Sequence, residues 1–332
     1  MMGACDIRTT RGYAVGSHAQ DGLVTSQLFE QHNKCDDQAR RLAIYLAENI
    51  PYATDVVNYT YATQVIQSEA VTEALRQWRR KWRGVDERAV GGALVWQTND
   101  CWPTNSWAVV DYYARPKPAY YAIKRESQPY STGVEVLFPW GGITAPRPHS
   151  ALISAAVCFR VFGSNTTAQP RKVKLEVAAW DTFADAIYEP FKLEIPDATY
   201  TLEANGSTNL ADVALPALGL YGPAHPKCVA KVHVKDAETG EILARMLNWA
   251  QPLKFHHLLD PKLDIKVKGD TATITSERPA KCVWLDVEGS GDVLPWSDNG
   301  FDIFPGETIT VTAKGLDGRV PTARWLGDHI SV

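Results

Sequence analysis

Six side chains in one short stretch carry the chemistry on offer: Trp96, Gln97, Asn99, Asp100, Trp102 and Trp107, within GGALVWQTNDCWPTNSWAVVD at residues 91–111. Indole faces set among amides and a carboxylate suit a sugar. The ring packs on the C–H face of a pyranose, and the polar groups orient its hydroxyls. Residue chemistry alone leaves open which of these side chains would face a sugar and which only pack. A plainer alternative stays open: Trp96 and Trp102 plug a core, and Asp100 caps or bonds backbone, since a buried carboxylate always needs partners.

An element must hold this cluster. Ala93, Leu94 and Val95, opened by two glycines, predict a fully buried strand over residues 91–97 that ends at Trp96. Around it the pattern is helical. Asp36 and Asp37 are candidate caps for a helix running to Asn49, where Pro51 follows. Val71, Leu75, Trp78 and Trp82 form one stripe of a second helix that Gly84 would stop. Pro116 and Pro118 open a third helix carrying Tyr120, Tyr121 and Ile123, with Lys124 and Arg125 at its end. One strand among three helices cannot satisfy its own edges. The order suits the last segment of a (β/α)8 barrel.

Beyond Pro129 short alternating runs take over, such as Val173, Leu175, Val177 and Val229, Lys231, Val232, Val234. They predict antiparallel sandwiches, with a hairpin turn at residues 235–240 and further strands near 263–268, 271–275, 282–287 and 308–313. The expected fold is therefore multidomain, α/β plus all-β: a TIM (β/α)8-barrel segment at residues 1–126 followed by two immunoglobulin-like β-sandwich domains, 127–258 and 259–332.

Composition narrows the function. A net charge of −4 argues against a nucleic-acid-binding surface. No apolar run reaches membrane-spanning length, so no membrane partner is expected. Of 11 tryptophans, five lie between Trp78 and Trp107, as an aromatic-lined pocket requires. The six cysteines lack any C-x-x-C pair, which points to free thiols in a reducing compartment, the cytoplasm, rather than to disulfides or zinc. His256 and His257 are adjacent, so in an extended segment their rings diverge and make a poor metal pair. The basic run Arg76, Arg79, Arg80, Lys81 and Arg83 reads as a solvated face or a set of salt bridges.

Several motifs together resemble glycoside hydrolase family 2 β-mannosidases of the fungal intracellular type. They are Trp96 to Pro103, Ser106-Trp107, Asp111-Tyr112-Tyr113 and Arg115 to Tyr121. Looser likeness comes from Gln31-His32-Asn33-Lys34, Arg40-Arg41, Trp78 to Gly84, Asn248-Trp249 and Ser297-Asp298-Asn299. The resemblance implies an exoglycosidase that removes terminal non-reducing β-D-mannose from an oligosaccharide, without a cofactor. It also implies that Trp96 forms part of the floor of the terminal-sugar site, that Asn99 and Asp100 follow it on the loop as candidate substrate-binding residues, and that Trp102 and Trp107 pack around the pocket.

Retaining glycosidases need two carboxylates about 5 Å apart. The family's acid/base sits in an Asn-Glu pair and its nucleophile in Glu-aromatic-Gly; neither pattern occurs here. Glu69 and Glu277, the two Ser-Glu positions, have the wrong context. The expectation is a C-terminal fragment without catalytic residues of its own, inactive alone. Alternatives are an exo-β-glucosaminidase or β-galactosidase of the same family, and a non-catalytic carbohydrate-binding or scaffold protein.

Overall fold

The structure is a computed structural model that describes residues 2–13, 23–83, 90–137, 158–182, 191–193, 195–214, 228–249, 252–289 and 291–328. Gly84, the expected helix stop, lies outside them. The helices are α1 (Ile7–Tyr13), α2 (Gln27–Gln31), α3 (Gln38–Asn49), α4 (Val56–Arg80) and α5 (Pro118–Glu126). The early strands are β1 (Tyr130–Leu137), β2 (Cys158–Asn165), β3 (Arg171–Asp181), β4 (Phe191–Lys192), β5 (Tyr200–Leu202) and β6 (Gly206–Ala214). Then come β7 (Cys228–Asp236), β8 (Ile242–Trp249), β9 (Asp264–Lys268), β10 (Thr271–Thr275) and β11 (Ala280–Asp286). The last are β12 (Phe301–Ile303), β13 (Ile309–Thr312) and β14 (Thr322–Arg324).

Two compact units result, and they do not follow chain order. One joins residues 1–73, 94–125 and 258–332; the other joins 74–93 and 126–257. The second unit is a sandwich of an antiparallel sheet β1-β2-β6 and a sheet β4-β3-β7-β8 with β5 also on β3. Alternate residues meet between the sheets: Val173, Val177, Ala230, Val232 and Val234 from one, Val134, Val161 and Leu210 from the other. The expected turn at 235–240 joins β7 to β8. Asp236 accepts the backbone N–H groups of Glu238 and Thr239, and Gly240 takes φ +74°. Three arginines late in α4 anchor its end inside this unit. Arg76 pairs with Glu126 at 2.7 Å, Arg80 with Glu135 at 2.6 Å, and the Arg79 fork donates to the carbonyls of Glu126, Gln128 and Pro129.

The first unit packs α1–α3, α4 as far as Glu73, α5 and residues 94–117 with a second sandwich, sheets β13-β10-β9 and β12-β11-β14. Residues of β10 alternate, with Ala272 and Ile274 buried. Every residue of β11 up to Leu285 is buried, because its outer face is covered by helices. Tyr61 of α4 donates to the Cys282 carbonyl at 2.6 Å, Tyr121 of α5 meets Trp284 edge-on, and Lys281 lies between Glu69 and Asp302 at 2.6 and 2.8 Å.

Three local expectations need correction. Residues 91–97 form no strand and are not buried. Residues 90–96 have no described neighbour to hydrogen-bond, so the apolar run stands open. Asp37 occupies the cap position of α3 in a left-handed conformation, φ +61°, and its side chain makes no cap bond. The expected core stripe of α4 at 71–82 is half-buried or exposed; the buried stretch is Tyr59 to Ser68. That stretch is rich in polar side chains because it satisfies the N-terminal strap. Thr63 accepts the Ala4 N–H at 2.9 Å, and Gln64 donates to the Ala4 and Cys5 carbonyls at 3.1 Å.

Candidate functional site

The tryptophan-amide-carboxylate cluster sits in the first unit, on the loop at residues 96–110. Three backbone seams fix this loop. Gly3 pairs antiparallel with Ser106, Asn33 parallel with Asn105, and Asn99 parallel with Val110. A Cβ at Gly3 would stand 2.6 Å from Gln67 Oε1, so a larger residue there would force the Gln67 side chain to shift. Beneath the loop Lys117 is fully buried and donates to the Gly3 carbonyl at 3.0 Å and the Ser106 carbonyl at 3.4 Å. Burial pushes the Lys117 ammonium below its ordinary pKa, while Cys5, Asp100 and Asp111 oppose that shift.

Asp100 is the hub. It is 2% exposed. Its Oδ1 accepts from Lys34 Nζ at 3.0 Å and its Oδ2 from Ser106 Oγ at 2.7 Å. Ser106 Oγ in turn accepts the Ala108 N–H at 2.9 Å. Lys34 also donates to Gln97 Oε1 at 3.2 Å and lies 5.3 Å from the centre of the Trp107 ring. Trp107 Nε1 donates to the same Gln97 oxygen at 3.1 Å. Lysine, carboxylate, amide, hydroxyl and indole thus form one connected network, whose members fix one another's positions.

Trp96 directly precedes Gln97 of this network. The indole is 73% exposed, and the Trp96–Gln97 peptide is cis. Asn99 is exposed beside it, its Nδ2 donating to the Asp100 carbonyl at 3.1 Å. Trp102 packs at a tilt on His32, with ring centres 5.2 Å apart; His32 stacks on Tyr13 at 3.8 Å and bonds the Pro103 carbonyl at 2.6 Å.

Of the residues singled out in sequence, Trp96, Asn99 and Trp102 are exposed. Asp100 is buried, with one oxygen engaged by Lys34 and the other by Ser106. Trp102 and Trp107 pack, each on a side chain from residues 32–34. Lys34 and Ser106, which complete the hub, carried no chemical role in the sequence. No local signal could have assigned one to Lys34, because its partner lies 66 positions away. Glu69 is held by Lys281, and Glu277 is exposed in a turn. His256 is buried, bonded to Thr182 at 2.7 Å, whereas His257 is exposed, as diverging rings require. Among the described residues no group of three His, Cys, Asp or Glu could hold a metal ion, and no helix is long and apolar enough to cross a membrane.

Residues 158–254 match the Mannosidase Ig/CBM-like domain, and residues 258–326 match the Ig-fold domain of mannosidases. β-Mannosidase B of Thermothelomyces thermophilus is 36% identical over 330 residues, 97% of this chain and 37% of that protein. β-Mannosidase B of Aspergillus niger is 37% identical over 302 residues, 90% and 34% respectively. The crystal structure of a β-D-mannosidase from Dictyoglomus thermophilum superposes with a TM-score of 0.72 at 24% identity, over 98% of this chain and 36% of that one. An exo-chitosanase, CsxA of Amycolatopsis orientalis, shares the fold more distantly, with a TM-score of 0.57 at 16% identity over 95% and 38%. The chain is thus a relative of the β-mannosidases, matched over almost all of its own length and over about a third of theirs.

Proposed function

We propose that this chain supplies one wall of the sugar site and the two immunoglobulin-like modules of a β-mannosidase-like exoglycosidase. In this reading residues 1–126 are the last segment of a (β/α)8 barrel, and residues 127–258 and 259–332 are the sandwiches. The observation that carries it is the pairing of an exposed indole with a rigid base. Trp96 projects from a loop whose underside is locked by Asp100, Lys34 and Ser106. Stacking on a pyranose needs a flat apolar face, and a loop already held by these bonds loses little further freedom when the sugar binds.

The substrate is an oligosaccharide ending in β-mannose. Trp96 packs on the sugar ring, Asn99 offers its amide to a hydroxyl, and Asp100 holds the loop on which both ride. Bond cleavage in a retaining glycosidase needs an acid/base and a nucleophile. Neither family motif for them occurs in this sequence, so the chain alone turns over no aryl β-mannoside. The free cysteines, Cys5, Cys35, Cys101 and Cys282 among the described residues, suit a reducing compartment, the cytoplasm.

The test joins this chain to the part of the Thermothelomyces thermophilus protein that it does not match, and assays aryl β-mannoside, β-glucosaminide and β-galactoside. Preference for β-mannoside is expected. Preference for either other sugar, or no hydrolysis from a folded fusion, overturns the reading.

A further inference from the structure

Gln97 joins the loop network through one end of its amide. Its Oε1 accepts from Lys34 Nζ at 3.2 Å and from Trp107 Nε1 at 3.1 Å. An ammonium and an indole N–H have protons to give and no lone pair to offer. The amide therefore cannot be turned end for end: the oxygen must face Lys34 and Trp107, and the Nε2 group must face away from them. The side chain is half-buried, so this second end is not sealed inside the loop.

The neighbouring donors are already committed. Trp107 gives its single side-chain N–H to Gln97, and Lys34 divides its ammonium between Gln97 and Asp100. Asn99 turns its Nδ2 to the Asp100 carbonyl at 3.1 Å, which leaves its oxygen as the outward group. A sugar hydroxyl both donates and accepts. Beside the exposed Trp96 indole, Asn99 supplies the acceptor and Gln97 the donor. A donor whose rotamer is already held by two bonds gives up little freedom when a ligand arrives.

We propose that Gln97 is a specificity-determining residue, whose Nε2 group donates to one hydroxyl of the sugar stacked on Trp96. Lys34 and Trp107 are then positioning residues that act through it, by holding the amide in the donating orientation. The inference rests on the functional reading for the presence of a sugar at Trp96, and on the two bonds to Oε1 for the role of Gln97. A site built to donate to a hydroxyl discriminates against the analogue that lacks it, because the donor is left without a partner.

The test compares Gln97→Glu and Gln97→Met in the covalent fusion described above, on an aryl β-mannoside and its 2-, 3-, 4- and 6-deoxy analogues. Gln97→Glu keeps an acceptor for Lys34 and Trp107 but puts an oxygen without a proton in place of Nε2. It should leave the melting midpoint of the chain within about 2 °C and lower kcat/KM about tenfold. One deoxy analogue should lose about as much with the parent fusion, and Gln97→Glu should cost nothing further on that analogue. Gln97→Met strips both ends and should lower the midpoint as well as kcat/KM. A purely structural role predicts that activity follows the midpoint, so Gln97→Glu would then lose neither. A kcat/KM for Gln97→Glu within twofold of the parent overturns the proposal, as does a loss that adds to that of every deoxy sugar. Either result leaves the functional reading standing, because the parent fusion is active in both. A parent fusion that prefers β-glucosaminide or β-galactoside overturns the mannoside reading, and Gln97 is then judged by the same comparison on that sugar's deoxy series. A folded parent fusion that hydrolyses none of the three overturns both.

Discussion

Replacing Asp100 by alanine should loosen the loop that carries Trp96 and destabilise the unit around it. The carboxylate is 2% exposed and accepts from Lys34 at 3.0 Å and from Ser106 at 2.7 Å. Removing it leaves an ammonium facing an apolar methyl and a hydroxyl without its acceptor. Breaking a buried ion pair from one side costs about 3–5 kcal/mol. Lys34 keeps 17% side-chain exposure and its bond to Gln97, so the lower end applies, about 3 kcal/mol. For a unit of this size that lowers its melting midpoint by about 6–12 °C. Asp100→Asn, which keeps shape and one acceptor oxygen, should cost about 1–2 kcal/mol. A chain of two units need not melt in one step, so the assay is calorimetry of the variant against the parent chain. Pairing Asp100→Asn with Lys34→Met in a double-mutant cycle should return about 1–2 kcal/mol of coupling. A loss under about 1 kcal/mol for the alanine variant, with no coupling to Lys34, would show that the network does not hold the loop.

Lys281→Met should destabilise the same unit by about 3 kcal/mol or more, read as a fall in urea midpoint, because Glu69 and Asp302 then face each other beside a buried apolar chain. Burial alone would raise the pKa of Glu176, but hydrogen bonds from Lys231 and Lys235 hold it down to about 2. A carboxylate depressed in the folded state contributes stability above its unfolded value, and that contribution is lost as pH falls. Glu176→Gln should therefore flatten the acid limb of the second unit's stability between about pH 4.5 and pH 2, followed by thermal melts in that window. Native thiol labelling read by mass spectrometry should modify exposed Cys101 well before Cys5 and Cys282, whose thiols burial raises to about 11 and about 12.

The sequence made legible what depends on neighbours a few residues away. The alternation of β10 and the Asp236–Gly240 turn follow from local pattern. So does the start of α5 at Pro118. What escaped depends on distant partners. A strand at 91–97 has the right composition, but strand formation needs a second strand, and none is described beside it. The first half of α4 carries many polar side chains yet is buried, because Thr63, Gln64 and Gln67 bond the backbone of residues 4–5 and 107–108. The continuous burial of β11 likewise depends on α4 and α5 covering its outer face. Within the site, sequence located Trp96 and Asp100 by composition, yet could not distinguish an exposed ligand-facing group from a buried anchor. That difference is set by Lys34, which local pattern does not bring near.

The role of Trp96 is most directly measured by Trp96→Ala in the covalent fusion with the unmatched part of the Thermothelomyces thermophilus protein, comparing kcat/KM for an aryl β-mannoside. The indole is 73% exposed in the isolated chain, so that chain's melting midpoint should stay within about 2 °C. Loss of one stacked sugar face should lower kcat/KM by about a hundredfold. An unchanged kcat/KM in a folded, active fusion would show that the exposed indole does not face the bound sugar.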